Sequence, residues 1–128
     1  HAVEVLQMGA HTLAHGFAEL MLHAPTLAAT DWMVEEITRV PPVIASTILV
    51  NQTLRDDREF IGTIHVPTQV LFGGDDKATS PKAGAWIAEQ IPGAELRIFE
   101  HSSHCPFYEE TELFNQALGA FLARVTRA

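Results

Sequence analysis

Val66-Pro67-Thr68-Gln69-Val70-Leu71-Phe72-Gly73-Gly74-Asp75-Asp76 is the stretch on which the fold turns. A short apolar run follows a proline and stops at two glycines, which is the pattern of a buried strand ending in a tight turn. Two aspartates stand just past that end. Beyond them, Ser80-Pro81 places a cap residue before a proline at the first helical position, and Ala83, Trp86 and Ile87 give the helix an apolar face. Ile91-Pro92-Gly93 ends it, and Leu96-Arg97-Ile98-Phe99 forms a second strand, leading into Glu100-His101-Ser102-Ser103-His104. Thr111 is placed to cap a last helix that buries Leu113, Phe114, Ala117, Leu118, Phe121, Leu122 and Val125. Strand, helix, strand, helix implies an α/β fold with parallel strands joined by a crossover.

Upstream the chain reads as helical. Leu13, Phe17, Leu20 and Met21 recur at helical spacing before Pro25. Thr30 or Asp31 is placed to cap a second helix with a Met33, Ile37, Val40 stripe, and Glu35 and Glu36 lie near its positive end. Pro41-Pro42 breaks the chain, and Pro42 opens a third helix running to about Leu54. Asp56-Asp57-Arg58-Glu59 is a polar lead into Phe60 and Ile61. Two parts follow: helical segments over 1–62, and a strand-helix-strand-helix part over 63–128. Parallel strands need helices on both faces and more strands beside them, so this pair is expected to complete its sheet with a further stretch of polypeptide.

Composition narrows the function. The 128 residues are 47% hydrophobic, enough for a core. A net charge of −8 with only eight Lys and Arg opposes nucleic-acid binding, which needs clustered cations. No apolar run is long enough for a membrane span. The N-terminus begins at His1 without a basic, then apolar, leader, which points to truncation or processing. A lone cysteine, Cys105, excludes an internal disulfide and points to a reducing, cytoplasmic compartment.

Asp76 and His104 are the candidate catalytic residues. In an open α/β sheet, ligands bind beyond the carboxyl ends of the strands, and both residues lie just past such ends. A carboxylate there holds the imidazole tautomer, and the imidazole moves protons to and from a nucleophile. Asp75 competes for the acid role, and His101 for the base. Cys105 follows His104 directly, a poor arrangement for a thiol–imidazole pair, so it reads as a buried thiol. His11 and His15 share a helix face but lack the glutamate of a zinc-peptidase motif and any third ligand, so no metal and no cofactor is expected. Phe17, Met21, Trp32 and Met33 read as core, with the lining of a substrate pocket as the alternative.

Residues 64–125 resemble the C-terminal end of the α/β-hydrolase superfamily, in particular its compact esterase and cofactor-free haloperoxidase-like members. The matching text is Ile64-x-Val66-Pro67-Thr68, Gly73-x-x-Asp76, Ile91-Pro92-Gly93-Ala94, His104 followed by Phe107-x-Glu109, and Phe114-Asn115. The resemblance implies that Asp76 is the triad acid and His104 the triad base, and that 1–62 are cap and connecting helices. It also implies a small-molecule substrate, an acyl ester of small to medium size. Lactone, carbon–carbon, epoxide and halide chemistry also occur in the superfamily. No Gly-x-Ser-x-Gly occurs here, so the nucleophile is expected in an N-terminal portion of the same hydrolase, the partner of this chain. Ser103 stands where the family has glycine and Thr111 where it has proline; each is sterically or locally acceptable. The alternative reading is a receptor-like hydrolase fold that binds a ligand with little turnover, and a homo-oligomer is a further candidate assembly.

Overall fold

The computed structural model describes residues 2–127. In chain order the elements are α1 (Ala2–Met21), α2 (Leu27–Thr38), α3 (Pro42–Leu54), α4 (Arg58–Ile61), β1 (Gln69–Gly73), α5 (Pro81–Gln90), β2 (Glu95–Phe99), α6 (Pro106–Glu109) and α7 (Thr111–Val125). They form two compact units. One takes the chain up to Glu19 together with Ala24–Asp56; the other takes Leu20–His23 together with the chain from Asp57 onward.

The first unit is helical. Its core is Ala14 and Ala18 of α1 against Val34 of α2, with Met33 and Ile37 packed at the margin. Two alanines four residues apart leave a shallow strip where another helix can come close. The larger residues at helical spacing lie elsewhere: Leu13 is 77% exposed, and Phe17 and Trp32 are also exposed. Periodicity located an apolar stripe on α1, but the packed face is the small-residue one, so Phe17 and Trp32 are not core. The start of α2 also differs from expectation. Thr26, rather than Thr30 or Asp31, is the cap; its side chain accepts a hydrogen bond from the Ala29 N–H at 3.3 Å. Thr30 is buried inside the helix. At the other end Arg39 pairs with Glu36 at 2.6 Å and Glu35 at 2.8 Å. Pro42 opens α3 as expected. None of the α3 residues is buried, and Val43, Ile44, Ile48, Leu49, Val50 and Leu54 are all exposed. A helix apolar on every side normally lies within a protein interior.

In the second unit β1 and β2 run parallel, in register from Gln69 opposite Glu95 to Gly73 opposite Phe99. The strand begins at Gln69 rather than Val66. Pro67 has no N–H to give a ladder, and the Thr68 hydroxyl turns back to the Val66 carbonyl. Between the strands, α5 starts as read: Ser80 Oγ accepts from the Lys82 N–H at 3.3 Å, and Pro81 follows. Gly84 of α5 is buried because the Phe72 ring lies against it, and a β-carbon there would stand 2.5 Å from a ring carbon. Phe99 is buried at the centre, with the Phe114 ring 5.7 Å away and Phe107 stacked edge-on to Phe114. Val70, Ile91, Cys105, Met21 and Leu22 complete this core.

The last helix departs from its expected cap. Thr111 is the first residue of α7, and its hydroxyl donates to the Phe107 and Tyr108 carbonyls at 3.0 Å, so it does not cap the N-terminus. Nor are its apolar residues buried: Leu113 and Leu122 are exposed and no α7 residue is fully covered. Among the described residues the sheet has two strands. It is an α/β fold, of the incomplete kind the sequence implied. No helix among the described residues is long and apolar enough to cross a membrane.

Candidate active site

The strand ends set the site. Parallel pairing brings Gly73 and Phe99 side by side, so the loops that follow leave the sheet from the same edge. They are stitched together at once. The Gly74 N–H donates to the Phe99 carbonyl at 2.7 Å and the Asp75 N–H to the Ser102 carbonyl at 3.0 Å. The approach is close enough that only glycine fits at position 73, where a β-carbon would meet the Ser103 carbonyl oxygen at 1.8 Å.

This stitching joins Asp76 to His104. The His104 Nδ1 lies 2.9 Å from Asp76 Oδ2 and 3.3 Å from Thr79 Oγ1. Asp76 Oδ1 accepts from the Ala78 and Thr79 N–H groups, both at 2.8 Å, and Oδ2 also accepts from the Thr79 hydroxyl at 2.8 Å. The carboxylate side chain is only 3% exposed, whereas the imidazole is 41% exposed. Burial pushes the Asp76 carboxyl up, but the Thr79 N–H, the His104 ring, the Thr79 hydroxyl and the Ala78 N–H outweigh it and hold the group below its ordinary range. Asp76 is therefore an ionised acceptor at neutral pH, so the Nδ1 that faces it carries the proton. Nε2 is then the lone-pair nitrogen, and among the described residues nothing bonds to it. An oriented imidazole with a free basic nitrogen can take a proton from a neighbouring hydroxyl, thiol or water.

The competitors sit elsewhere. Asp75 turns to His23, with Nδ1 to Oδ2 at 3.0 Å, and to the Lys77 ammonium at 3.5 Å. His23 and then Lys77 lower its carboxyl despite some desolvation. His101 is exposed, and its backbone N–H donates to Glu110 Oε2 at 2.9 Å. Cys105 is buried; burial, Glu109 and Asp76 push its thiol up, which keeps it protonated and poorly nucleophilic at neutral pH. His15 pairs with Glu19 at 3.5 Å, and no cluster of three or more metal-ligating side chains occurs among the described residues.

Four participants escaped the sequence reading. Thr79 lies three residues after Asp76, the spacing of a side-chain-capped turn, and that local signal was available. Glu109 was visible only as a matching letter. Its Oε2 accepts from the Ser103 N–H at 2.8 Å and its Oε1 from the His23 N–H at 2.6 Å. Glu110 accepts from the Ser102 hydroxyl at 2.7 Å as well as from His101. His23 is far from Asp75 in sequence, with nothing local to mark it. Ser103, where the family has glycine, is fully buried: its hydroxyl donates to the Leu20 carbonyl at 2.9 Å, and among the described residues no non-glycine residue has a positive φ.

The depressed Asp76 carboxyl gives a pH dependence. It stabilises the fold fully above its ordinary value of 3.8, and that stabilisation fades as pH falls through the lower folded value. Asp76→Asn is expected to be about 2 kcal/mol less stable than the parent at pH 7, from lost charge-assisted hydrogen bonds. The two stability curves should converge only once pH has fallen through that lowered folded value, since both side chains are then neutral. Urea melts at stepped pH measure this; a constant gap down to the acid limb would refute it.

No family model matches the chain. Over 67 residues it is 37% identical to the pimeloyl-[acyl-carrier protein] methyl ester esterase of Chromobacterium violaceum, covering 52% of this chain and 26% of that protein. Over 64 residues it is 34% identical to the 2-hydroxy-6-oxononadienedioate/2-hydroxy-6-oxononatrienedioate hydrolase of Klebsiella pneumoniae, covering 50% of this chain and 22% of that one. The solved structure of an esterase from Exiguobacterium antarcticum superimposes with a TM-score of 0.76 over 95% of this chain and 47% of its own, at 23% identity. The chain thus spans about a quarter of the curated relatives it matches and about half of this solved structure.

Proposed function

Since the chain belongs to the α/β-hydrolase superfamily, we propose that it supplies the acid, Asp76, and the base, His104, of a serine esterase acting on small to medium apolar acyl esters. The observation that carries this is the His104 Nδ1–Asp76 Oδ2 contact of 2.9 Å at the carboxyl ends of two parallel strands, with Nε2 unbonded among the described residues. A relative named as a methyl ester esterase supports the ester assignment.

In this reading the serine lies in a portion of the same hydrolase outside these 128 residues, which contain no Gly-x-Ser-x-Gly. His104 Nε2 removes the serine proton as its oxygen attacks the ester carbonyl, and Asp76 stabilises the imidazolium. The same proton goes to the departing alkoxide. Nε2 then activates water, which releases the acid and restores the serine. Residues 1–62 serve as cap and connecting helices, a role that fits the exposed Phe17 and Trp32 side chains.

The test is peptide mapping of the full protein after treatment with a fluorophosphonate probe. One adduct on a serine outside this stretch is expected. An adduct on a serine within it, or no adduct on protein that hydrolyses esters, overturns the assignment.

A further inference from the structure

The base is held by its backbone as well as by its ring. The His104 N–H donates to the Met21 carbonyl at 3.0 Å, which ties the loop after β2 to the C-terminal end of α1. Glu109 spans that junction. Its two carboxylate oxygens take the N–H of Ser103, immediately before His104, and the N–H of His23, two residues past Met21. Ser103 adds its hydroxyl bond to Leu20 on the same segment. Glu109 of α6 thereby fixes two backbone positions, Ser103 and His23, that flank the His104–Met21 hydrogen bond.

We propose that Glu109 is a positioning residue for the base: its carboxylate sets the backbone of Ser103-His104, and so holds Nδ1 on Asp76 and presents Nε2 outward. Glu110 makes a comparable pair of bonds one step further from the base, to His101 N–H and the Ser102 hydroxyl, so it serves as the internal comparison. The chemistry is specific to a carboxylate. Two N–H donors converge on Glu109, and an amide at that position offers one oxygen and one NH2, leaving a donor facing a donor. The catalytic consequence rests on the esterase reading above; the geometric one does not.

The experiment uses the full protein labelled with 15N in its imidazole rings, the His104 signals being assigned by their loss in His104→Ala. The 15N shifts report which ring nitrogen carries the proton. In the parent, His104 is expected to show the Nδ1–H tautomer. Glu109→Gln is expected to give tautomer-averaged signals, together with a kcat lower by about 10²-fold at nearly unchanged KM, the effect of a misplacement near 1 Å. Glu110→Gln should keep the parental spectrum. If Glu109→Gln melts before it can be measured, Glu109→Asp, which keeps the charge but is too short to reach both donors, is read by the same criteria. A folded Glu109 variant with the parental His104 tautomer overturns the proposal whether or not the protein hydrolyses esters. Parental positioning lost in Glu109→Gln but with no turnover in any form would spare the positioning and sink the esterase reading instead.

Discussion

Replacing His104 with alanine is expected to lower kcat/KM for ester hydrolysis in the full protein by about 10⁴-fold or more, the loss typical when a triad member is removed. The fold should survive. The side chain is 41% exposed, and the backbone bond to the Met21 carbonyl does not depend on it. Asp76 loses one donor but keeps three, from Ala78 N–H, Thr79 N–H and the Thr79 hydroxyl. A stability change of about 1–2 kcal/mol is the scale for one lost charge-assisted hydrogen bond, well short of unfolding a stable domain. Steady-state kinetics beside a thermal melt separate the two effects. Activity within tenfold of the parent, in protein that melts normally, would remove His104 from the chemistry.

The second large effect belongs to Gly73. A β-carbon there would lie 1.8 Å from the Ser103 carbonyl oxygen and 2.4 Å from that of Ser102. Both obstacles are backbone atoms of the loop that carries His104, so no rotamer change relieves them. Gly73→Ala is expected to destabilise the protein by about 3 kcal/mol or more, at the upper end for overpacking because the loop is also pinned by Glu109 and Glu110. What folded protein remains should be poorly active, since relief requires moving Ser103 away from the strand. Gly93 provides a contrast: it has a φ of 75° and nothing near its missing β-carbon, so an asparagine there should cost far less. Chemical denaturation of the two variants decides it; equal losses at both positions would refute the steric account.

The C-terminal part was the more legible half because its signals are local. Ser80-Pro81 opens α5, glycines end β1, and an acid and a histidine follow successive strands. Each is decided by a few adjacent residues. The helical part was harder, because spacing identifies an apolar stripe but not its partner. On α1, Leu13, Phe17 and Leu20 of the stripe are exposed and only Met21 is buried, while Ala14 and Ala18 pack. Caps failed in a similar way. Thr26, Thr30 and Thr111 all have a side chain able to cap, and only the geometry of the chain entering the helix selects Thr26 and turns Thr111 back onto preceding carbonyls. At the site, Asp76 and His104 were readable as an expectation. The Glu109 contacts to Ser103 and His23 were not, since a glutamate binding backbone N–H groups leaves no mark on the residues that supply them.

Leu20–His23 groups with the sheet unit, although the chain on either side, up to Glu19 and from Ala24 to Asp56, groups with the helical one. Those four residues present the Leu20 and Met21 carbonyls and the His23 N–H to the loop around His104. For chimera construction this fixes the seams. A foreign helical segment spliced between Ala24 and Asp56 leaves every one of those bonds with its native donor or acceptor. A splice that also exchanges 20–23 transplants part of the base's own support, so libraries meant to vary specificity should treat that tetrapeptide as scaffold.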